Sequence, residues 1–406
     1  MSSGPAFPSS SSSGAAGVSA PQQVDPFEEL GATGLRYFAG VIQEEFQKEL
    51  VGKKGAQIIR EMAANSSVLA SSLLAMELSL RQISWDVESA DESPAALEAA
   101  ELVKSGLDDM SSSWEDTLSE IYSFLRFGWS YQEVVYKKRG GDSADPRFRS
   151  KYNDGKIAWR KLTIRSQDSL FEWKFEENGS GIRGLVQMPP PRYDLRYIPI
   201  EKALLFRTTA AKGNPEGHSL LRAAYFPWYF SKRIMAMEGI GIDRDMTGVA
   251  VAGVPPEYLL DSATPEQKAT LSVVKKLVRD LKRDEAQGIV KPLAYDEKNN
   301  PLFTLELMAS AGQRAHDTTK IIQRYDLRMA QTVLADFLML GHDAVGSRAL
   351  AEPKLDFFSL ALNGYANMTA AVINRHGIPR LMKLNGIPTE LSPALRPAEV
   401  KSRDLK

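Results

Sequence analysis

Four histidines are the first residues that could do chemistry, and their spacing argues against it. His218, His316, His342 and His376 lie far apart, and none belongs to an H-E-x-x-H or other paired-ligand pattern. Acids come next. Asp243 with Asp245, Glu176 with Glu177, and the distant Asp336 are the carboxylates a metal-dependent nuclease would need. Two-metal chemistry requires such groups to converge on ions about 4 Å apart, whereas adjacent acids are also ordinary on a solvated face. Gly346-Ser347 lacks the G-x-S-x-G elbow of a serine hydrolase. No G-x-x-x-x-G-K-[ST] phosphate loop occurs, and the absence of cysteine excludes thiolate catalysis, disulfides and Cys-ligated metals. The residues therefore point to no catalytic group, no cofactor site and no metal site.

Composition narrows the partners. The 50 Lys and Arg offset 51 Asp and Glu, so no global field attracts nucleic acid or an anionic membrane, and any DNA contact must be local. No apolar run reaches the roughly 18 residues of a membrane span. Residues 1–26 carry Ser, Ala, Gly and Pro with the single charge Asp25, which predicts a disordered leader.

The elements that would position a site are easier to find. Residues 26–108 are mostly helical in period, with a break and N-cap at Asn65-Ser66-Ser67, a strand over 83–88 and a helix over 90–105. A helix over 114–127 stops at Gly128, and strands follow over 129–137, 157–164, 170–175, 184–188 and 202–207. Asn178-Gly179-Ser180-Gly181 has hairpin chemistry. At Gly213-Asn214-Pro215-Glu216-Gly217-His218-Ser219 a turn and a Ser helix cap feed a helix over 219–246, in which Pro227 would kink the chain or begin a second part. Its aromatic cluster of Tyr225, Phe226, Trp228, Tyr229 and Phe230 suits helix packing better than base stacking. A small α/β insert follows: strands over 249–254, 288–293 and 302–307 and a helix capped by Thr264. A helix over 313–340, a loop of small residues with the cation Arg348 near Gly346, and a helix over 356–374 complete the pattern. The fold class is α+β and helix-rich.

Four segments in this order resemble the portal proteins of tailed bacteriophages, the Mu-like (DUF935-type) branch in particular: Arg60-Glu61-Met62 leading to Ser84-Trp85-Asp86-Val87; Phe127-Gly128-Trp129-Ser130-Tyr131; the stretch 213–230; and Ala335-Asp336-Phe337-Leu338 followed by Gly346-Ser347-Arg348. The resemblance implies an α/β wing over 27–212, a first stem helix over 213–247, a small α/β clip over 248–311 and a second stem helix over 312–340. A tunnel loop over 341–355 and a tunnel helix with a short C-terminal segment over 356–406 would follow, with little left for a crown.

It further implies a dodecameric ring of this chain at one capsid vertex of the virion, assembled in the host cytoplasm. Double-stranded DNA would pass through its channel, with the terminase large subunit, the major capsid protein and neck or head-tail adaptor proteins as partners and no membrane. Gly346, Ser347, Arg348 and Lys354 are then the candidates to face DNA, and Gly217, Ser219 and Pro227 form the wing-to-stem junction. Such a protein is not an enzyme. A nuclease, or a head-completion protein without a channel, is the alternative.

Overall fold

The computed structural model describes residues 27, 29, 31–176, 181–247, 249–282, 295, 301–308, 317–335 and 347–401. The chain opens on a two-residue ladder, β1 (Tyr37–Phe38) with β2 (Val41–Ile42), turned at Ala39 and Gly40, both left-handed. Helices α1 (Gly52–Asn65) and α2 (Ser67–Arg81) are separated where expected, because Ser66 is extended and its hydroxyl accepts from Leu69 N at 3.4 Å. Strand β3 (Trp85–Glu88) leads to α3 (Pro94–Asp108), whose start combines a Ser93 cap with proline in the first turn, where its missing N–H costs no bond. Helices α4 (Trp114–Ile121) and α5 (Ser123–Phe127) end on Gly128, left-handed at φ 90°.

Two antiparallel sheets follow. In the first, β4 (Trp129–Lys138) lies between β5 (Ile157–Arg165) and β9 (Ala203–Arg207); in the second, β7 (Ile182–Gln187) lies between β6 (Leu170–Phe175) and β8 (Arg196–Pro199). Strand alternation divides the body into two cores. Leu204 and Phe206 of β9 join Trp159, Phe124, Met62 and Leu69 in the helical core, while Ala203 packs with Trp129, Tyr131, Trp173 and Leu185 between the sheets. Strand β8 has no counterpart in the sequence reading, since Arg196 and Tyr197 are exposed and three prolines precede it. The Asn178-Gly179-Ser180 turn lies outside the described residues.

The long loop between β4 and β5 is held from beneath by buried charge. Asp109 takes Lys137 Nζ at 3.0 Å, accepts from Ser150 Oγ at 2.6 Å and Lys151 N at 2.9 Å, and has Arg139 Nε at 3.9 Å. Arg139 also reaches Asp154 at 3.2 Å. Burial pushes the Asp109 carboxyl up, but the Ser150, Lys151 and Lys137 bonds outweigh it and hold the group below its ordinary value.

From the body rises α6 (Tyr225–Thr247), about 35 Å long at 1.5 Å per residue. After it come β10 (Val249–Gly253), α7 (Pro265–Lys282) and β11 (Thr304–Met308), with β10 and β11 paired antiparallel. Thr264 and Gln267 cap α7 reciprocally: Gln267 N donates to Thr264 Oγ1 at 3.3 Å, and Thr264 N to Gln267 Oε1 at 2.8 Å. The strand expected over 288–293 lies outside the described residues. The chain returns along α6 in α8 (Thr318–Thr332), running antiparallel to it: Thr318 bonds Glu238 at one end, and Tyr325 stacks on Phe230 at 6.4 Å further down.

Two expectations fail here. The second long helix does not continue to 340. It ends at Thr332, because Leu334 turns left-handed at φ 56°, with Leu334 N bonded to Gln331 O and Ala335 N to Ala330 O. Nor does a loop extend to 355, since α9 (Ser347–Val372) starts nine residues before the expected 356 and carries Pro353 inside it. A π turn over Ile373–Gly377 joins α9 to α10 (Ile378–Leu384). The last strand, β12 (Ala394–Pro397), pairs antiparallel with β3, so the C-terminal segment returns to the body.

Candidate functional site

The body and the rod of α6 and α8 meet at a joint made mostly of backbone. Gly217, left-handed at φ 57°, sits so close to Gly128 that a Cβ on it would lie 2.5 Å from the Gly128 carbonyl oxygen. A Cβ on Gly128 would lie 2.4 Å from the Glu216 oxygen. Neither position admits a side chain. Thr208, just after β9, closes the contact: its N donates to Gly128 O at 2.9 Å, and its hydroxyl accepts from His218 N at 2.8 Å and donates to His218 O at 2.6 Å.

Ser219 was expected to cap a helix and does something else. Its hydroxyl donates to Arg126 O and accepts from Leu221 N at 3.0 Å, tying the joint to the end of α5. The segment 219–224 is a turn and one 3-10 turn, and α6 starts only at Tyr225. Pro227 is the third residue of α6, in the first turn, so it begins the helix and does not kink it.

Beside the joint lies a half-open cleft of about 440 Å³, lined among others by Glu44, Glu45, Phe46, Glu216, Ser219 and Arg222. Glu45 holds Arg222 through bonds of 2.7 and 2.8 Å. Burial pushes the Glu45 carboxyl up, and the Arg222 and Gln47 bonds overcome it and keep the group below its ordinary value. Glu216 behaves oppositely. Burial pushes it up to about 7, and its bond from Trp173 Nε1, 3.1 Å, only partly offsets that.

The aromatic cluster splits by position. Tyr225 and Trp228 are buried in the helical core, where Met329, Ala330 and Val333 from the far end of α8 join them. Phe226 and Phe230 are 52% and 44% exposed, and the apolar exposure continues up α6 through Met237 at 60% and Ile240 at 53%. Burial in the core therefore accounts for two of the five aromatics.

Gly217 and Ser219 meet at one joint with Pro227 close by in sequence. Of the other candidates, Gly346 lies outside the described residues, and Ser347, Arg348 and Lys354 are helical residues of α9. Asp243 and Asp245 are helical residues of α6. Asp336 lies outside the described residues. Among the described residues no group of three His, Asp or Glu could hold a metal, and no helix is long and apolar enough to cross a membrane. Sequence reasoning missed Gly128 as the partner of Gly217, Thr208 as the clasp, and Trp173 on Glu216. Gly128 did carry a signal, as a helix stop, but not one that pairs it with a glycine 89 positions on.

An α+β body carrying a two-helix rod, with a small α/β module inserted between the two helices, defines a structural protein of the portal class. Residues 56–406 match the family described as the portal protein of Mu bacteriophage, and the chain belongs to that family. Among solved structures it is similar to a chain in the neck of the empty gene transfer agent (GTA) particle computed with C6 symmetry, at TM-score 0.51 and 12% identity over 89% of this chain and 87% of that one. A chain in the native GTA neck computed with C12 symmetry aligns at TM-score 0.49 and 12% identity, over 86% of each chain. An HK97-family phage portal protein from Corynebacterium diphtheriae aligns at 0.36 and 9%, over 75% of this chain and 92% of that one. No curated protein matches the sequence.

Proposed function

We propose that this portal subunit assembles with itself into a dodecameric ring at one capsid vertex of a phage particle, and that double-stranded DNA enters and leaves through the channel of that ring. The body is the wing, α6 and α8 are the stem helices, and the β10, α7 and β11 module is the clip. The chain from about 341 through α9 faces the tunnel. The observation that carries this reading is the apolar face of α6, from Phe226 to Met237 and Ile240, which α8 leaves uncovered apart from the stack of Tyr325 on Phe230. A rod with such a face is completed by the next copy around a ring. The fold shared with a chain of the GTA neck supports the same arrangement.

The ring does no chemistry in this scheme. The terminase large subunit drives DNA through it, the major capsid protein surrounds the wing, and neck or head-tail adaptor proteins dock later; the subunit acts in the virion after assembly in the host cytoplasm. A near-neutral chain suits a conduit, because a strongly basic lining would hold phosphates with steep salt dependence and resist sliding. End-on electron micrographs of purified protein test the reading: particles with a central hole and high rotational symmetry are expected, and a persistent monomer that cleaves DNA with divalent ions overturns it. Arg348→Ala should leave rings intact while altering packaging or genome retention. Normal packaging and retention would remove that residue from the tunnel.

A further inference from the structure

Just past α9 lies a group of cations with no carboxylate partner among the described residues. The π turn over Ile373–Gly377 packs on β9 and brings Arg375 and His376 near Arg380 of α10 and Arg207 of β9. His376 and Arg380 lie four positions apart across the π turn and α10, and Arg380 bonds Ala203 O of β9, the strand that also carries Arg207; burial first, and then the charges of Arg380, Arg375 and Arg207, hold the His376 imidazole below its ordinary value. Three other arginines, by contrast, meet carboxylates: Arg139 with Asp109 and Asp154, Arg165 with Glu133, Arg222 with Glu45. Among the described residues no carboxylate pairs with Arg207, Arg375, Arg380 or His376. Glu133, which like Arg380 acts on Tyr131, is already held by Arg165 and Lys202, and Glu201 in the same neighbourhood pairs with none of the four.

Two of the forks are fixed in place. Arg207 Nη1 donates to Asn214 O at 2.9 Å and Arg380 Nη1 to Ala203 O at 2.6 Å, which uses a fraction of the five N–H donors each guanidinium has. A half-buried cation without a counter-charge is unfavourable until an anion joins it. Guanidinium forks match phosphate oxygens in a bidentate way. Arg375 and His376 are exposed, so the group is open on one side, as a site for phosphates on a long chain must be and a cradle for a free ion need not.

We infer that Arg207, Arg375, His376 and Arg380 form a phosphate-binding site for the backbone of double-stranded DNA. This rests on the proposed conduit role and adds to it a fixed point of contact at the junction of α9, α10 and β9.

The test is binding of a short fluorescent DNA duplex to assembled wild-type and variant protein between about 50 and 200 mM salt, with poly-glutamate as competitor. R375Q/R380Q should weaken binding at least about tenfold and flatten the plot of log affinity against log salt by about 1.8, near 0.9 per lost phosphate contact. R375K/R380K should keep most of that slope. Arg375 is exposed and makes no bond among the described residues, so R375Q alone should leave the fold intact and still flatten the slope by about 0.9. Unchanged affinity and slope in R375Q/R380Q rings, or no salt-dependent binding by wild-type rings, overturns the site and leaves the ring reading standing. Poly-glutamate binding as tightly as the duplex overturns DNA as its ligand. Failure of the wild-type chain to form rings defeats the underlying reading instead.

Discussion

The body and the rod solve the same problem in opposite ways. In the body, apolar side chains from α1 to α5, both sheets and α9 meet one another, and under the β4–β5 loop buried charges meet opposite charges, as Asp109 meets Lys137 and Arg139. Along the rod, α6 is apolar on more of its surface than α8 covers, with Phe226, Met237 and Ile240 left in solvent. The body encloses most of its apolar surface, whereas the rod leaves apolar surface for the proposed association to cover. Mutations in the two regions should therefore differ in kind: those in the body should unfold the subunit, and those on the rod should spare it while abolishing the ring.

The sharpest break is at the joint. Gly217→Ala or Gly128→Ala places a Cβ within about 2.5 Å of a backbone oxygen at a left-handed residue, and should cost more than about 3 kcal/mol in denaturant unfolding. A loss below about 1 kcal/mol would mean the joint yields easily. Asp109→Asn leaves Lys137 and Arg139 buried without their shared carboxylate and should cost about 3 kcal/mol.

Glu216 gives a smaller, pH-dependent effect. Its folded value near 7 lies above the unfolded 4.5, so it adds stability below about pH 4.5 that is lost as pH rises through 7. Glu216→Gln should flatten the fall in melting temperature between pH 5 and 8, removing on the order of 1–3 kcal/mol of pH dependence; parallel curves would remove Glu216 as its source. Met237→Ser with Ile240→Ser should change monomer stability by less than about 1 kcal/mol and yet prevent ring formation in sedimentation. Intact rings would place the subunit contact on another face. Leu334→Gly, which relieves a left-handed leucine, should stabilise by about 0.5–1 kcal/mol.

Local signals were legible where one residue decides a boundary. Ser66 parts α1 from α2, Gly128 stops α5, and Thr264 with Gln267 opens α7, and each could be found from its type and neighbours alone. Boundaries set by tertiary contacts were not. Pro353 reads as a helix breaker, yet it lies within α9. Leu334 gives no sign of a C-cap, because leucine is rarely left-handed; the turn is held by the burial of Val333 and Ala335 beside it. At the joint, Gly217 was recognisable as a turn residue and Pro227 as a kink or helix start, whereas Ser219, read as a helix cap, ties the joint to α5 and α6 begins only at Tyr225. The closeness of Gly217 to Gly128, and the carboxyl of Glu216 under Trp173, depend on segments far apart in the chain, and local spacing carries no trace of either.

The pairing of β3 with β12 adds a constraint in time. Glu88 and Arg396, ion-paired across that ladder, are 308 residues apart, and everything in the rod and its module is made between them. Chains fold as they emerge, N-terminal parts first, and contacts of such long separation form late. The apolar flank of α6 is thus in solution before the edge of β3 is covered. A subunit halted midway would expose a sticky rod and an open strand edge together, a combination that favours misassembly or chaperone capture over premature entry into an oligomer.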